Sequence, residues 1–154
     1  MSSDSVVTLT PFAVALGIEF LPPAGGTACA RLQPTPAHES CVGSGAVHVS
    51  VLTAMLDNTC GAAVRLARTG ADTPFATLDL RMDHFAPAHL EQLVWAEAEC
   101  YRLTADIAYA RAWLWQEDRD KPLAGCTATF MLHTRAGPGG DGAVTADPDR
   151  ATRI

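Results

Sequence analysis

The stretch AVHVSVLTAMLDNTCGAAVRLAR, Ala46 to Arg68, has no proline and a single glycine, Gly61. Val47, Val51, Ala54, Met55, Ala62 and Leu66 recur at helical spacing. This predicts one long helix, ended by the TGADTP segment that follows. So apolar a helix cannot lie on a solvated surface, so another element must cover it. Asp57 interrupts its apolar run, and His48 stands near its start.

The flanks say what that cover is. TPFAVALGIEFL opens with a helical turn, capped by Thr10 with Pro11 at its first position, and then becomes extended. PPAGG (22–26) reads as a turn, TACARLQP (27–34) as a strand and 35–45 as a loop. Beyond the helix, FATLDLRMDHF (75–85) alternates, with Leu78, Leu80 and Met82 on one face and Asp79, Arg81 and Asp83 on the other. That parity sets Thr77 with the polar face. LVWAEAECYRL (93–103), DIAYARAWLWQE (106–117) and LAGCTATFMLH (123–133) are three further strands joined by short turns. In the middle one, Ala108, Ala110, Ala112 and Leu114 share a face that lets another element approach closely. There is no internal repeat. The order predicts an α+β domain, a mostly antiparallel curved sheet wrapped around one long central helix. It occupies residues 10–133. Residues 1–9 read as a flexible start, and the Gly-, Pro- and Asp-rich 134–154 as a disordered tail.

Composition narrows the function. The 154 residues carry a formal net charge of −6, and the eleven Lys and Arg are scattered, so nucleic acid is not the expected partner. No apolar run approaches the roughly 18 residues of a membrane span. The opening MSSDSVVTLTP lacks the basic and apolar regions of a signal peptide. Five cysteines without a CxxC pair read as reduced, buried thiols, and a cytoplasmic location is expected.

A carboxylate inside an apolar helix needs a partner, a proton or a cavity. The N–H groups at a helix start favour a developing negative charge, such as the oxygen of a polarised carbonyl. His48 and Asp57 are separated by about 13 Å of helical rise and roughly half a circle of rotation. They do not converge within one chain, whereas antiparallel helices across a two-fold axis would bring them together. If both do chemistry, the physics favours a dimer with shared sites. The plainer alternatives are a capping role for His48 and a merely hydrogen-bonded Asp57.

At these residues the chain resembles the hotdog-fold acyl-CoA thioesterases of the PaaI-like, phenylacetic-acid-type family. That family carries Asn-x-x-Gly-x-x-His-Gly-Gly followed on the helix by Leu-x-Asp. Gly45, His48 and Asp57 match, and Leu56 stands one place nearer the acid. ATLDLRMDHFAPA and PLAGCTATFML resemble the family's next and closing strands, and the likeness covers about 11–133. The resemblance implies a hotdog fold that hydrolyses acyl-CoA to free acid and coenzyme A. Asp57 would be general base or nucleophile, and the Val49 N–H the oxyanion donor from another subunit. His48 would orient that turn, and Thr77 would position water. Gly45, Ser50 and Arg102 would contact substrate. It implies a homodimer, with a dimer of dimers as the larger assembly. No metal is implied, and no cofactor beyond the coenzyme A of the substrate.

The chain departs from the family at three places. Val42 replaces the asparagine, Val49-Ser50 replaces Gly-Gly, and Ala86 stands where many members have arginine. Ser50 and His38 are the polar residues that stand nearest as substitutes. The departures motivate a second reading, a protein that binds acyl thioesters without hydrolysing them; a hydratase or dehydratase is the third. A thiol nucleophile at Cys41 with His38 or His48 lacks a thiolate-stabilising context. His84, His89 and Asp83 match no standard zinc spacing and read as surface. Arg65, Arg68, Arg81 and Arg111 are lesser candidates than Arg102 for the coenzyme A phosphates.

Overall fold

A computed structural model describes residues 10–68 and 74–134. The start at 1–9 and the tail beyond Thr134 lie outside them. Helix α1 (Pro11–Ala15) begins as expected: Thr10 Oγ1 accepts the Ala13 N–H at 3.1 Å, and Pro11 occupies the first turn. Two strands follow, β1 (Ile18–Ala24) and β2 (Thr27–Leu32). A 3-10 turn at Pro36–His38 leads to α2 (Val49–Ala67), and then come β3 (Phe75–His84), β4 (Val94–Leu103), β5 (Ile107–Trp115) and β6 (Ala124–Leu132).

One correction concerns PPAGG. Only Gly25 and Gly26 make the turn, with φ of +59° and +87°, and Pro22 and Pro23 belong to β1. The ladder is irregular between Leu21 and Ala24. β1 is an edge strand, where a missing N–H leaves no broken ladder bond on the open side.

All pairings are antiparallel, and the six strands run in the order β1-β2-β4-β5-β6-β3. The sheet curves around α2, the hotdog architecture expected from the sequence. Helix α2 packs mainly on β4, β5 and β2. There it meets small side chains: Ala96, Ala98, Ala108, Ala110 and Ala112 are buried. Leu52, Met55, Leu56, Cys60 and Val64 fill the space between. Buried Thr59 turns its hydroxyl back to the Met55 carbonyl at 2.7 Å, so it adds no unpaired polar group to the core.

The sheet covers one face of α2 only. Ser50, Thr53, Asp57, Asn58 and Arg65 lie on the other and are half-buried or exposed. Asp57 is therefore half-buried at the margin of the core, not enclosed within it. Five free cysteines also differ from a uniformly buried set: Cys60 and Cys126 are buried, Cys29 and Cys100 half-buried, and Cys41 exposed.

The close helix–sheet contact predicts a specific intolerance. Ala110→Leu drives a larger side chain into the alanine face and should lower stability by about 1–3 kcal/mol. Thr127→Val, on an exposed residue of β6, should change it by about 0.5 kcal/mol or less. Urea unfolding of both variants checks the contrast.

Candidate active site

Helix α2 starts where the sequence suggested a functional end. His48 is its N-cap, with extended φ of −65° and ψ of 134°. Its Nδ1 accepts the Ser50 N–H at 3.1 Å, and the Ser50 hydroxyl also contacts Nδ1. A ring nitrogen that accepts from an amide must present a lone pair, so the His48 proton sits on Nε2. The capping role is thus observed. It leaves the next donor, the Val49 N–H, without a partner among the described residues. The Val49 side chain is 53% exposed beside it.

The segment before the cap is tightly held. Gly45 has φ of +67°. Its N–H donates to the Glu39 carboxylate at 2.7 Å, and its carbonyl accepts from Leu90 N–H at 2.9 Å. Val47 N–H reaches the Ala88 carbonyl, and His48 N–H the His38 carbonyl, both at 2.8 Å. Gly45 therefore acts as a joint in this strap. His38 is buried, with Nδ1 accepting the Thr35 N–H at 3.2 Å, which makes it a local cap. Val42 is fully exposed and contributes nothing polar. Glu39 gives no signal in the sequence, because a loop glutamate belongs to no periodic pattern.

Asp57 lies two turns into α2. Thr77 Oγ1 donates to Asp57 Oδ1 at 2.9 Å. This contact overturns the parity expected for β3. The register runs Thr77 opposite Phe130, then Asp79 opposite Thr129, so Leu78 is an extra residue. The bulge reverses the alternation, and Thr77 joins Leu80 and Met82 on the helix-facing side. Leu78 is left 52% exposed. Burial pushes the Asp57 carboxyl above the ordinary carboxylate range, and the Thr77 hydrogen bond offsets part of that rise.

Two depressions meet at this pair. One, of about 530 Å³, is broad and open, and runs along the uncovered face of α2 past Val49, Ser50, Thr53 and Asp57 to Thr77 and Leu80. Val49 and Asp57 therefore share a face, whereas His48 does not line the depression. The other, of about 210 Å³, lies between α2 and β3, with Asp57 and Thr77 at one side, Phe20, Phe75 and Phe130 as walls, and Arg65 beyond. The Arg65 guanidinium sits 5.0 Å from the Phe75 ring centre.

Arg102 is not brought to this place. It stands opposite Tyr109 after a bulge in β4, exposed, and lines neither depression. Tyr109 alternates with buried Ala108 and Ala110, so Arg102 occupies the sheet face turned away from α2. Arg65, the lesser candidate from sequence, lines the same cavity as Asp57, about two turns further along α2. Among the described residues no group of three or more His, Cys, Asp or Glu is arranged to hold a metal ion.

A family model of the thioesterase superfamily matches residues 44–123, from the strap through β5. This chain belongs to that superfamily. A structure from Pseudomonas aeruginosa is 30% identical, with a TM-score of 0.69 over 78% of this chain and 88% of that one. The phenylacetic acid degradation protein PaaI of Thermus thermophilus, solved as a point mutant, is 29% identical, with a TM-score of 0.67 over 79% of this chain and 98% of that one. A phenylacetic acid degradation-related protein of Ralstonia eutropha is 25% identical, with a TM-score of 0.69 over 80% and 92%. The hotdog fold and the PaaI-like kinship read from the motif are thereby shown, and the membership supports thioester hydrolysis in general. No curated protein matches the chain. Among the described residues no helix is long and apolar enough to cross a membrane.

The raised Asp57 carboxyl makes a linked pair of predictions. A group whose folded pKa is raised stabilises the fold below its unfolded value and loses that contribution as pH rises through the folded one. Above its raised value the ionised Asp57 opposes folding. Asp57→Asn should therefore raise Tm above that value, the gain shrinking as pH falls through it and vanishing below the unfolded carboxylate value of about 4. Thr77→Val removes the bond that favours the carboxylate, so the Asp57 titration followed by carboxyl NMR should move further up, while Thr77→Ser should leave it near wild type.

Proposed function

We propose that this protein hydrolyses an acyl-CoA thioester to free acid and coenzyme A, at a site shared between two subunits. The observation that carries the reading is the Asp57–Thr77 pair at the junction of two depressions. Thr77 orients one carboxylate oxygen and leaves Oδ2 for a water or for the thioester carbon. A carboxyl with a raised pKa is the stronger base once ionised. Asp57 then acts as general base on water or as nucleophile. In either case the thioester carbonyl oxygen gains charge and needs a donor, and the collapse expels the coenzyme A thiolate. In the base route the thiolate receives the proton that Asp57 took from water. In the nucleophile route water then cleaves the acyl–Asp57 anhydride to release the acid.

The unpaired Val49 N–H suits that role. It stands eight residues before Asp57, about 12 Å of rise along the same helix, too far to meet one carbonyl. A second copy with its α2 antiparallel across a two-fold axis would set its Val49 against this Asp57. Three features support such a dimer. The face of α2 that carries both residues is uncovered by its own sheet. β3 is an edge strand beside it. Phe12, which lines the open depression, is exposed. Ser50 lines the open depression, Gly45 and His48 fix the donor's direction, and Arg65, rather than Arg102, is the cation that shares a cavity with the acid. Assembly of such dimers into a dimer of dimers, a cytoplasmic setting and the absence of any cofactor remain expectations of the same reading.

Binding without turnover is the second reading, and the Val49 side chain beside its own N–H favours it. Thiol release separates the two. With purified protein and a panel of acyl-CoA esters, Asp57→Asn should lose at least ~100-fold in kcat/KM. Unchanged turnover would remove Asp57 from the chemistry. Wild-type binding without release would establish the second reading.

Val49→Pro offers a cleaner probe of the donor. Proline is favoured at the first helical position, and the residue before it must be extended, as His48 already is. The substitution deletes one N–H and keeps the helix start, so it should cost about 100- to 1,000-fold in kcat. Co-refolding it with Asp57→Asn should restore about a quarter of wild-type activity, because half the dimers then hold one intact site of two. No recovery would confine the site to one chain.

A further inference from the structure

Gly61 stands in the middle of α2, one turn after Asp57. Glycine is the poorest helix former after proline, so something must offset its cost there. The backbone does not require it, because Gly61 lies within regular helix and outside the positive-φ positions. Packing inside the chain does not require it either. A Cβ built at Gly61 would meet only Phe75 Cε2, at 3.8 Å, an ordinary contact. What the missing side chain leaves open is the cavity between α2 and β3. Its 210 Å³ holds on the order of seven water-sized groups. Its apolar walls are the rings of Phe20, Phe75 and Phe130, the last two meeting edge-to-face at 5.7 Å, with Thr10, Asn58 and Arg65 as further polar lining. Asp57 and Thr77 border it, so a group attached to a carbonyl held at that pair extends directly past Gly61.

We propose that Gly61 is a specificity-determining residue, kept without a side chain so that a bulky apolar acyl body can pass along α2 into the phenylalanine-walled cavity. The proposal rests on acyl-CoA hydrolysis as read above, and names the part of the substrate that the cavity takes. A methyl at position 61 narrows the passage, and an isopropyl blocks it. Acyl groups too short to reach past the first turn feel neither.

The test compares wild type, Gly61→Ala and Gly61→Val as purified full-length chains. Acetyl-, butyryl-, hexanoyl- and ring-bearing acyl-CoA esters are assayed for thiol release, and their Kd values are measured by calorimetry in each variant. The expected result is a fall of roughly 10-fold or more, in Gly61→Val, in the ratio of the bulkiest to the smallest acyl group, with Gly61→Ala between it and wild type. Gly61→Ala should meanwhile raise Tm by about 2–4 °C, which shows that the loss is not one of folding. A ratio unchanged within about 2-fold in both variants would overturn the proposal. So would a loss equal for all acyl groups together with a weakened dimer in sedimentation, because Gly61 would then serve the approach of a second chain. A wild type that binds the panel without releasing thiol defeats the hydrolase reading alone, and the Kd ratio still decides the role of Gly61.

Discussion

Helix α2 can sink into the sheet because the strands beneath it present alanine. A row of methyl groups on β4 and β5 brings the two backbones close, and larger side chains of α2 interlock at the flanks. That close seat fixes the height of α2 over β3, and with it the distance between Asp57 and Thr77. It also uses up only one side of the helix. The other side carries Asp57, the Val49 N–H and the gap at Gly61, so a single packing decision both anchors α2 and leaves that side uncovered.

The local electrostatics follow from that arrangement. Asp57 lies where burial is incomplete, which raises the energy of its ionised form without forbidding it. The helix start contributes a second polar element, an amide whose direction is set by hydrogen bonds on both sides of the cap. By contrast, the charges on the outer sheet face neutralise one another in exposed pairs, Arg31 with Glu19, Arg111 with Glu99 and Arg119 with Glu97. Such pairs are each worth little.

The fold was largely legible from periodicity. α2 declared itself by its unbroken helical spacing, the strands of the second half by alternation, and the alanine face of β5 by the uniformity of one parity. Asp57 and His48 were legible because an acid in an apolar helix and a polar residue at its start each break a pattern. What escaped reading was local irregularity. Nothing in ATLDLRMDH marks Leu78 as the extra residue, yet one bulge reverses every side chain before it, and so moved Thr77 from the polar face to the acid. A similar irregularity between Cys100 and Arg102 set the basic residue on the sheet face turned away from α2. Glu39 and Gln116 escaped for another reason: their partners are chosen by the three-dimensional path of loops, not by any repeat.

Gln116 shows what those loop contacts accomplish. At the end of β5, its amide nitrogen donates to the carbonyls of His89 and Gln92 at 2.7 and 2.9 Å, and its oxygen accepts the His89 N–H at 2.9 Å. The loop it grips is the one that hands hydrogen bonds to Gly45 and Val47. The mouth of the helix is thereby bolted to the rigid sheet through a chain of amides, with no hinge between them. A reaction whose charge develops at that mouth meets dipoles that were aligned during folding, and little reorientation is left to be done when the ligand arrives.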